Sequence, residues 1–326
     1  MAIINLKEAL EKDRTTSGAV YVNGIPQIRT GKRGEFMVGS FMHGRDTVEF
    51  KIWDSATFLP VSVNGSGVYE AEVQGSEFNG QVYLTVKRIV PQLDPSIQAK
   101  DFLPAVDRKD ISQIWQDVKK ELIEAGLSQS GLQLLLKIIN DPELDGRFMV
   151  EGAAMNRHDN QIGGLANHTF KMLRVLTALL KNNPELQEHV DLMTYGIMLH
   201  DIGKIYEYSN LELGEYWYAH HRIRGIEYLT RWKEDITTLY SEAFYHHIQA
   251  IISGHHGEYG DRPTTLAAGI VHYIDTLESQ VTGLLQEWEK NSSSQLFVRD
   301  WGYLAGFPQQ QEVEQNNSET YQNSDY

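Results

Sequence analysis

The sequence predicts a multidomain chain, a small N-terminal all-β barrel followed by an all-α helical bundle. Three observations predict it. From about residue 17 to residue 90, short runs of β-branched and aromatic residues alternate with glycine turn signals. From Ile111 onward, apolar residues recur at helical spacing instead. Between the two lies 91–108, where Pro91, Pro95 and Pro104 interrupt polar residues. A length of 326 residues is too great for one ordinary core and suits two.

The predicted strands, in order, are Ala19 to Val22, Glu35 to Val38, Val48 to Trp53, Val68 to Val73 and Val82 to Val86. Asn23-Gly24, Thr30-Gly31, His43-Gly44, Asn64-Gly65 and Asn79-Gly80 supply turns between or beside them. Such short, closely spaced strands suit either a small closed barrel of the OB-fold type or another small β-sandwich. We assign 1–90 to this domain and 91–108 to a linker. The helical domain, 109–306, starts with Ile111, Ile114, Trp115, Val118, Leu122 and Ile123. Helical periodicity continues over 131–140, 165–182, 189–203, 221–233, 240–253 and 264–290, with no strand pattern of comparable strength. The apolar helices within 111–140 are candidates for pairing between subunits of a homo-oligomer. The tail, 307–326, is rich in Gln, Asn, Glu and Ser and is expected to be disordered.

Composition narrows the chemistry. The chain has no cysteine, which removes disulfides, thiolate zinc sites and cysteine nucleophiles and fits a reducing compartment. The N-terminus, MAIINLKEALEKD, does not read as a secretory signal, and no stretch reaches the roughly 18 apolar residues of a membrane span. A cytoplasmic protein without membrane contact is expected. Net charge is −15, with residues 1–90 neutral at ten Lys/Arg against ten Asp/Glu, so all the excess acid lies beyond them. That balance does not favour phosphate contacts as the main source of nucleic-acid affinity. It does suit a divalent-metal site or a solvated surface.

Eleven of the twelve histidines lie between residues 158 and 272. His168 opens a predicted helix after Gly163-Gly164, and His200-Asp201-Ile202-Gly203-Lys204 ends one whose Met193, Ile197, Met198 and Leu199 are apolar. His255-His256 follows the apolar run Ile248 to Ile252, and Asp275 sits between core-type residues. Any single one of these is more readily a hydrogen-bonded core or surface residue. In this order they form a set of imidazoles and carboxylates that suits borderline first-row metals, drawn from separate helices into a bundle core. Lys204, one turn after the His-Asp pair, is placed to meet a phosphate oxygen, so Asp201 and Lys204 are the catalytic candidates. His246-His247 read as surface residues and His220 as unremarkable.

Over roughly 150–290 these residues resemble the HD-domain superfamily of metal-dependent phosphohydrolases. The resemblance implies that His168, His200, Asp201 and Asp275 bind one metal. It also implies that His221, spaced before Gly225 as in members with a second metal, joins His255 and His256 on another. The order of parts resembles the YhaM-type 3′-to-5′ exoribonucleases, a likeness carried by Phe50 to Asp54, Gln81 to Val86, Asp101-Phe102-Leu103, the run 254–260 and Ala267 to Asp275. Relatives often carry two adjacent histidines where this chain has His158-Asp159, and the Gly-Tyr-Pro motif of cyclic-dinucleotide phosphodiesterases is missing.

The resemblance implies one or two divalent metals, manganese by family habit. It also implies a substrate of single-stranded RNA (or single-stranded DNA) entering from its 3′ end and nucleoside monophosphate products. Tyr21, Phe36, Phe50 and Trp53, with Lys32-Arg33, Lys51 and Lys87-Arg88, are the barrel's candidate strand contacts, half or more of the aromatics being expected in its core. Two other functions stay open. One is an HD-type hydrolase of small nucleotides; the other is a nucleic-acid-binding regulator without catalysis.

Overall fold

The computed structural model describes residues 2–32, 34–153, 160–209, 211–257, 261–291, 294–299 and 301–308. His158-Asp159, residues 258–260 and the tail from 309 onward lie outside the described residues. Two compact units are present, 1–282 and 283–326.

The N-terminal sheet closes. Strands β1 (Thr15–Gly31), β2 (Gly34–His43), β3 (Asp46–Ile52), β4 (Gly67–Phe78) and β5 (Gln81–Pro91) form a barrel in the order β1-β2-β3-β5-β4. Of the two predicted architectures, this is the barrel. β1 is long because it serves two partners: Thr15 to Val22 pair with β4, whereas Tyr21 to Gly31 pair with β2 through an irregularity between Asn23 and Gln27. The parallel contact of β3 with β5, Phe50 opposite Leu84, seals the cylinder and leaves no free edge along it. Alternation supplies the interior, as when β4 buries Tyr69, Ala71 and Val73.

A helix that the sequence pattern did not suggest, α2 (Ser55–Asn64), links β3 to β4. Pro60 lies inside it and hides the helical signal. Asp54 caps it by accepting from the Thr57 amide at 2.8 Å, and Phe58 and Val61 bury themselves in the barrel core. A short α1 (Leu6–Ala9) precedes the barrel.

The helical region runs α3 (Arg108–Glu124), α4 (Gln129–Ile139), α5 (Gly164–Asn182), α6 (Val190–Leu199), α7 (Lys204–Glu207), α8 (His221–Thr230), α9 (Lys233–Leu239), α10 (Glu242–Gly254) and α11 (Leu266–Lys290). Helix α6 is buried on nearly every side, which places its C-terminus in the middle of the bundle. Ile111, Val118 and Leu122 of α3 and Leu132, Leu135 and Ile138 of α4 are buried in the core of this same chain. Much of the stripe expected to pair between subunits therefore packs within the chain itself.

The all-α expectation for 109–306 needs amending. Among the described residues two hairpins occur, β6 (Tyr208–Ser209) with β7 (Glu212–Leu213) and, in the second unit, β8 (Gln295–Val298) with β9 (Gly302–Ala305). Strands of two and four residues are too short for alternation to show in a sequence.

The β6–β7 hairpin reaches the barrel. Glu212 accepts hydrogen bonds from Ser66 Oγ at 2.7 Å and from Tyr21 OH at 3.2 Å, and Leu211 packs on the cluster of Ala19, Tyr21, Phe102 and Leu103. Among the described residues, no helix is long and apolar enough to cross a membrane.

Candidate metal centre

Five elements deliver side chains to one point. Gly163, at φ +80°, is the left-handed residue that starts α5, and a Cβ there would meet Ile111 Cδ1 at 2.7 Å. Because the helix begins at Gly164, His168 sits one turn inside it and not at its opening. His200 is the C-cap of α6, Asp201 follows, and the chain turns at Gly203. Helix α8 begins with His221, the end of α10 delivers His255 and His256, and α11 contributes Asp275.

The distances tie these groups together. Asp201 Oδ2 lies 3.2 Å from His200 Nε2, while its Oδ1 lies 3.3 Å from His255 Nε2 and 3.5 Å from His221 Nε2. His168 Nε2 is 3.2 Å from Asp275 Oδ1, and His221 Nε2 is 3.2 Å from His256 Nε2. Asp201, His221, His255 and His256 can offer ligand atoms within 4.8 Å of one another; so can His168, His200 and Asp201, and so can His200, His255 and Asp275. All seven candidate ligands thus fall in one overlapping cluster, and Asp201 turns one oxygen toward each side of it.

The imidazoles are oriented from behind. His200 Nδ1 donates to the Ile197 carbonyl at 2.7 Å, and His255 Nδ1 to the Ile252 carbonyl at 2.9 Å. His221 Nδ1 meets Glu207 Oε2 at 2.5 Å, and His168 Nδ1 meets Glu278 Oε2 at 2.5 Å. With Nδ1 engaged, each ring presents Nε2 to the centre, the arrangement that carboxylates and carbonyls enforce on metal-ligating histidines.

Three of the central atoms, His200 Nε2, Asp201 Oδ1 and His255 Nε2, are buried without a properly formed hydrogen bond. Orphaned buried polar atoms are costly, about 1–3 kcal/mol each. A divalent cation satisfies all of them together, and the mixed nitrogen and oxygen set suits a first-row metal.

Charge agrees with that use. Burial works against the Asp201 carboxylate, but Lys204 and His200 beside it hold its pKa well below the usual range. Asp275 is likewise depressed against its burial by His168. Burial lowers His221 to about 4, and it also lowers His255 and His256, which keeps these rings neutral with free lone pairs. His168 differs. Burial opposes its charge, but Asp275 and Glu278 flank it and raise it to about 10.

Lys204 lies beside the candidate ligands. Its ammonium lies 2.6 Å from Asp201 Oδ2 and donates to the Ala153 carbonyl, so it is engaged with the candidate ligand itself. The turn at Gly203 brings residues three apart face to face. Sequence reasoning missed Glu207 and Glu278, although Glu278 follows Asp275 by one helical step and is in turn held by Thr282 at 2.6 Å. It also passed over His220, whose ring lies 4.3 Å from that of His221. His246 is exposed beside Glu242 at 3.6 Å, as a surface residue should be.

Glu278→Ala is expected to weaken metal binding about 10- to 100-fold, since His168 loses the group that orients it. Titration of metal-stripped protein checks this, and unchanged affinity would remove Glu278 from the site.

Fold and site together define a class. Residues 165–280 match the HD domain, and the barrel precedes this domain, whose helices carry the candidate metal ligands. More particularly, the chain is homologous over about 74% of its length to the 3′-5′ exoribonuclease YhaM of a Geobacillus species, with 26% identity over 267 residues and 75% of that relative covered. The YhaM of Bacillus subtilis is 24% identical over 243 residues, covering 72% of this chain and 75% of the relative. A dihydroneopterin 2′,3′-cyclic phosphate phosphodiesterase of Methanocaldococcus jannaschii is 29% identical over 133 residues, 40% of this chain and 51% of that protein.

Proposed function

We propose that this chain is a metal-dependent phosphodiesterase that shortens single-stranded RNA from its 3′ end and releases nucleoside 5′-monophosphates. The convergence of seven buried or half-buried ligands on orphaned donor atoms carries the reading. Likeness to the YhaM exoribonucleases, which covers 72–74% of this chain, supports the substrate and the polarity.

Divalent cations, manganese being the ion we expect, would acidify a water molecule here and neutralise charge on the phosphate. The protein's own groups do the rest. His168, His200, Asp201 and Asp275 form one half of the cradle, and His221, His255 and His256 with the second Asp201 oxygen form the other. Lys204 keeps Asp201 ionised and aimed, and its charge stands at the edge of the reacting phosphate. Water would add at phosphorus as the bond to the neighbouring O3′ breaks, and that oxygen would take up the proton the water gives up, leaving a new 3′-hydroxyl and a nucleoside monophosphate.

The barrel serves as the strand-binding domain in this reading. Phe50 belongs to its interior and Tyr21 is buried on its outer side against Phe102 and Leu103, whereas Trp53 is 53% exposed and stacks on half-buried Phe36 at 4.9 Å between ring centres. Trp53→Ala is expected to weaken binding of a single-stranded RNA about 10-fold, the scale of one base–aromatic contact. Fluorescence anisotropy in EDTA reads this directly, and equal affinity would place the strand elsewhere. Removing 1–90 entirely is a poorer test, because Phe102 and Leu103 would lose their cover.

Hydrolysis of a small nucleotide or cyclic phosphodiester is the second reading, favoured by the archaeal phosphodiesterase, whose likeness covers only 40% of this chain. The barrel has no task in it. A 5′-labelled single-stranded RNA, incubated with EDTA or with manganese, separates the two. A manganese-dependent ladder receding from the 3′ end is expected. Intact RNA alongside turnover of small phosphodiesters would establish the second reading instead.

A further inference from the structure

We infer that Tyr216, Trp217 and Tyr218, on the loop between β7 and α8, form a stacking subsite for the bases at the 3′ end of the substrate strand, an assignment that rests on the phosphodiesterase reading above. Three consecutive large aromatics are exposed there, by 55%, 51% and 71%. None belongs to the helical core or packs against it. Exposed apolar surface of this kind marks binding.

The rings are arranged to receive flat partners. Tyr218 meets both Tyr216 and Trp217 edge-on, with ring centres 6.4 Å apart and planes at 84° and 77°. The three faces therefore do not cover one another.

Both ends of the loop are fastened to the metal centre. At its start the Gly214 amide donates to the Glu207 carbonyl at 2.8 Å, and the carboxylate of that same Glu207 holds the His221 amide at 3.1 Å and its Nδ1 at 2.5 Å. Within the loop, the Ala219 amide donates to the Tyr216 carbonyl at 2.9 Å. At its end come His220, whose ring lies 5.8 Å from that of His256, and then His221 itself. Tyr218 precedes His221 by three residues, a span of at most about 10 Å. About three stacked nucleotides, at 3.4 Å each, cover the same distance.

Charge supports stacking over phosphate contacts. A net charge of −15 over the whole chain does not favour counterion release as the main source of affinity. Base–aromatic stacking does not depend on charge and tolerates every base.

The test uses the full chain loaded with manganese and two substrates, a ribo-trinucleotide and its counterpart whose 3′-terminal residues lack their bases. Wild type is expected to prefer the complete trinucleotide in kcat/KM on the order of 10-fold or more. Trp217→Ala and Tyr218→Ala should each erase most of that preference, and Trp217→Phe should restore it, with metal uptake and Tm confirming that the variants fold. Hydrolysis with undiminished preference in both alanine variants overturns the assignment while leaving the phosphodiesterase reading in place. Failure of metal-loaded wild type to cleave either substrate overturns both.

Discussion

Replacing Asp201 by asparagine is expected to lower hydrolysis on the order of 1,000-fold or more, because it removes the one charge that both halves of the metal cradle share. Asp201 Oδ1 faces His221 and His255, and Oδ2 faces His200 and Lys204. An amide keeps the shape and one acceptor but presents a neutral oxygen on one side and a donor on the other. Asparagine is preferable to alanine for a structural reason. Asp201→Ala would leave the Lys204 ammonium, only 13% exposed, with the Ala153 carbonyl alone. Breaking a buried pair in that way costs about 3–5 kcal/mol, which would confuse loss of chemistry with loss of fold. Combining Asp201→Asn with His200→Ala should remove the remaining activity. Metal stoichiometry, Tm and turnover measured on the same preparations separate these effects. Retention of a tenth of wild-type activity by the double variant would place the chemistry elsewhere.

Gly203→Ala is expected to destabilise the protein by about 3 kcal/mol and to lower its metal affinity together with its stability. A Cβ at this position would lie 1.9 Å from the His221 carbonyl oxygen and 2.6 Å from the Gly225 amide nitrogen. Backbone atoms cannot step aside as the end of a flexible side chain can, so α8 must move, and His221 moves with it. The spacing of Gly225 four residues after His221 has its explanation here, since the two glycines let the turn after Asp201 rest directly on the first turn of α8. Gly269→Ala on α11 is the control. Nothing lies within 4 Å of a Cβ there, and the change should raise stability by about 1 kcal/mol through helix propensity. Urea unfolding of both variants checks the contrast, and similar midpoints would mean that the close approach at Gly203 carries no weight.

Six of the seven candidate ligands stood out in the sequence as histidines and aspartates clustered beside apolar runs, and His221 entered through the family resemblance. The groups that orient them did not stand out. Glu207 and Glu278 look like ordinary surface acids on short or amphipathic helices, and only the fold shows that one faces His221 and the other His168. Lys204 was read as meeting a phosphate oxygen, and its pairing with Asp201 could not be seen because a sequence does not show which way a side chain turns after Gly203. Tyr216, Trp217 and Tyr218 passed unnoticed in a segment without periodicity. The barrel divides in the same manner. Alternation announced its strands, but only packing shows that Phe50 points inward, that Tyr21 is buried outside the barrel against Phe102, and that Trp53 stays exposed.

By itself, then, the sequence determined the order of a β domain and a helical domain, most of their elements, and the histidines and aspartates that make up the candidate metal set. These are local properties, written in periodicity, turn residues and short motifs. Tertiary structure alone decided that β3 seals against β5, that α2 forms despite Pro60, that Asp201 is shared across the cluster, and that the aromatic loop is fastened beside His221. Each of those depends on contacts between residues far apart in the chain, whose geometry is set by packing and the exclusion of water and leaves no periodic trace.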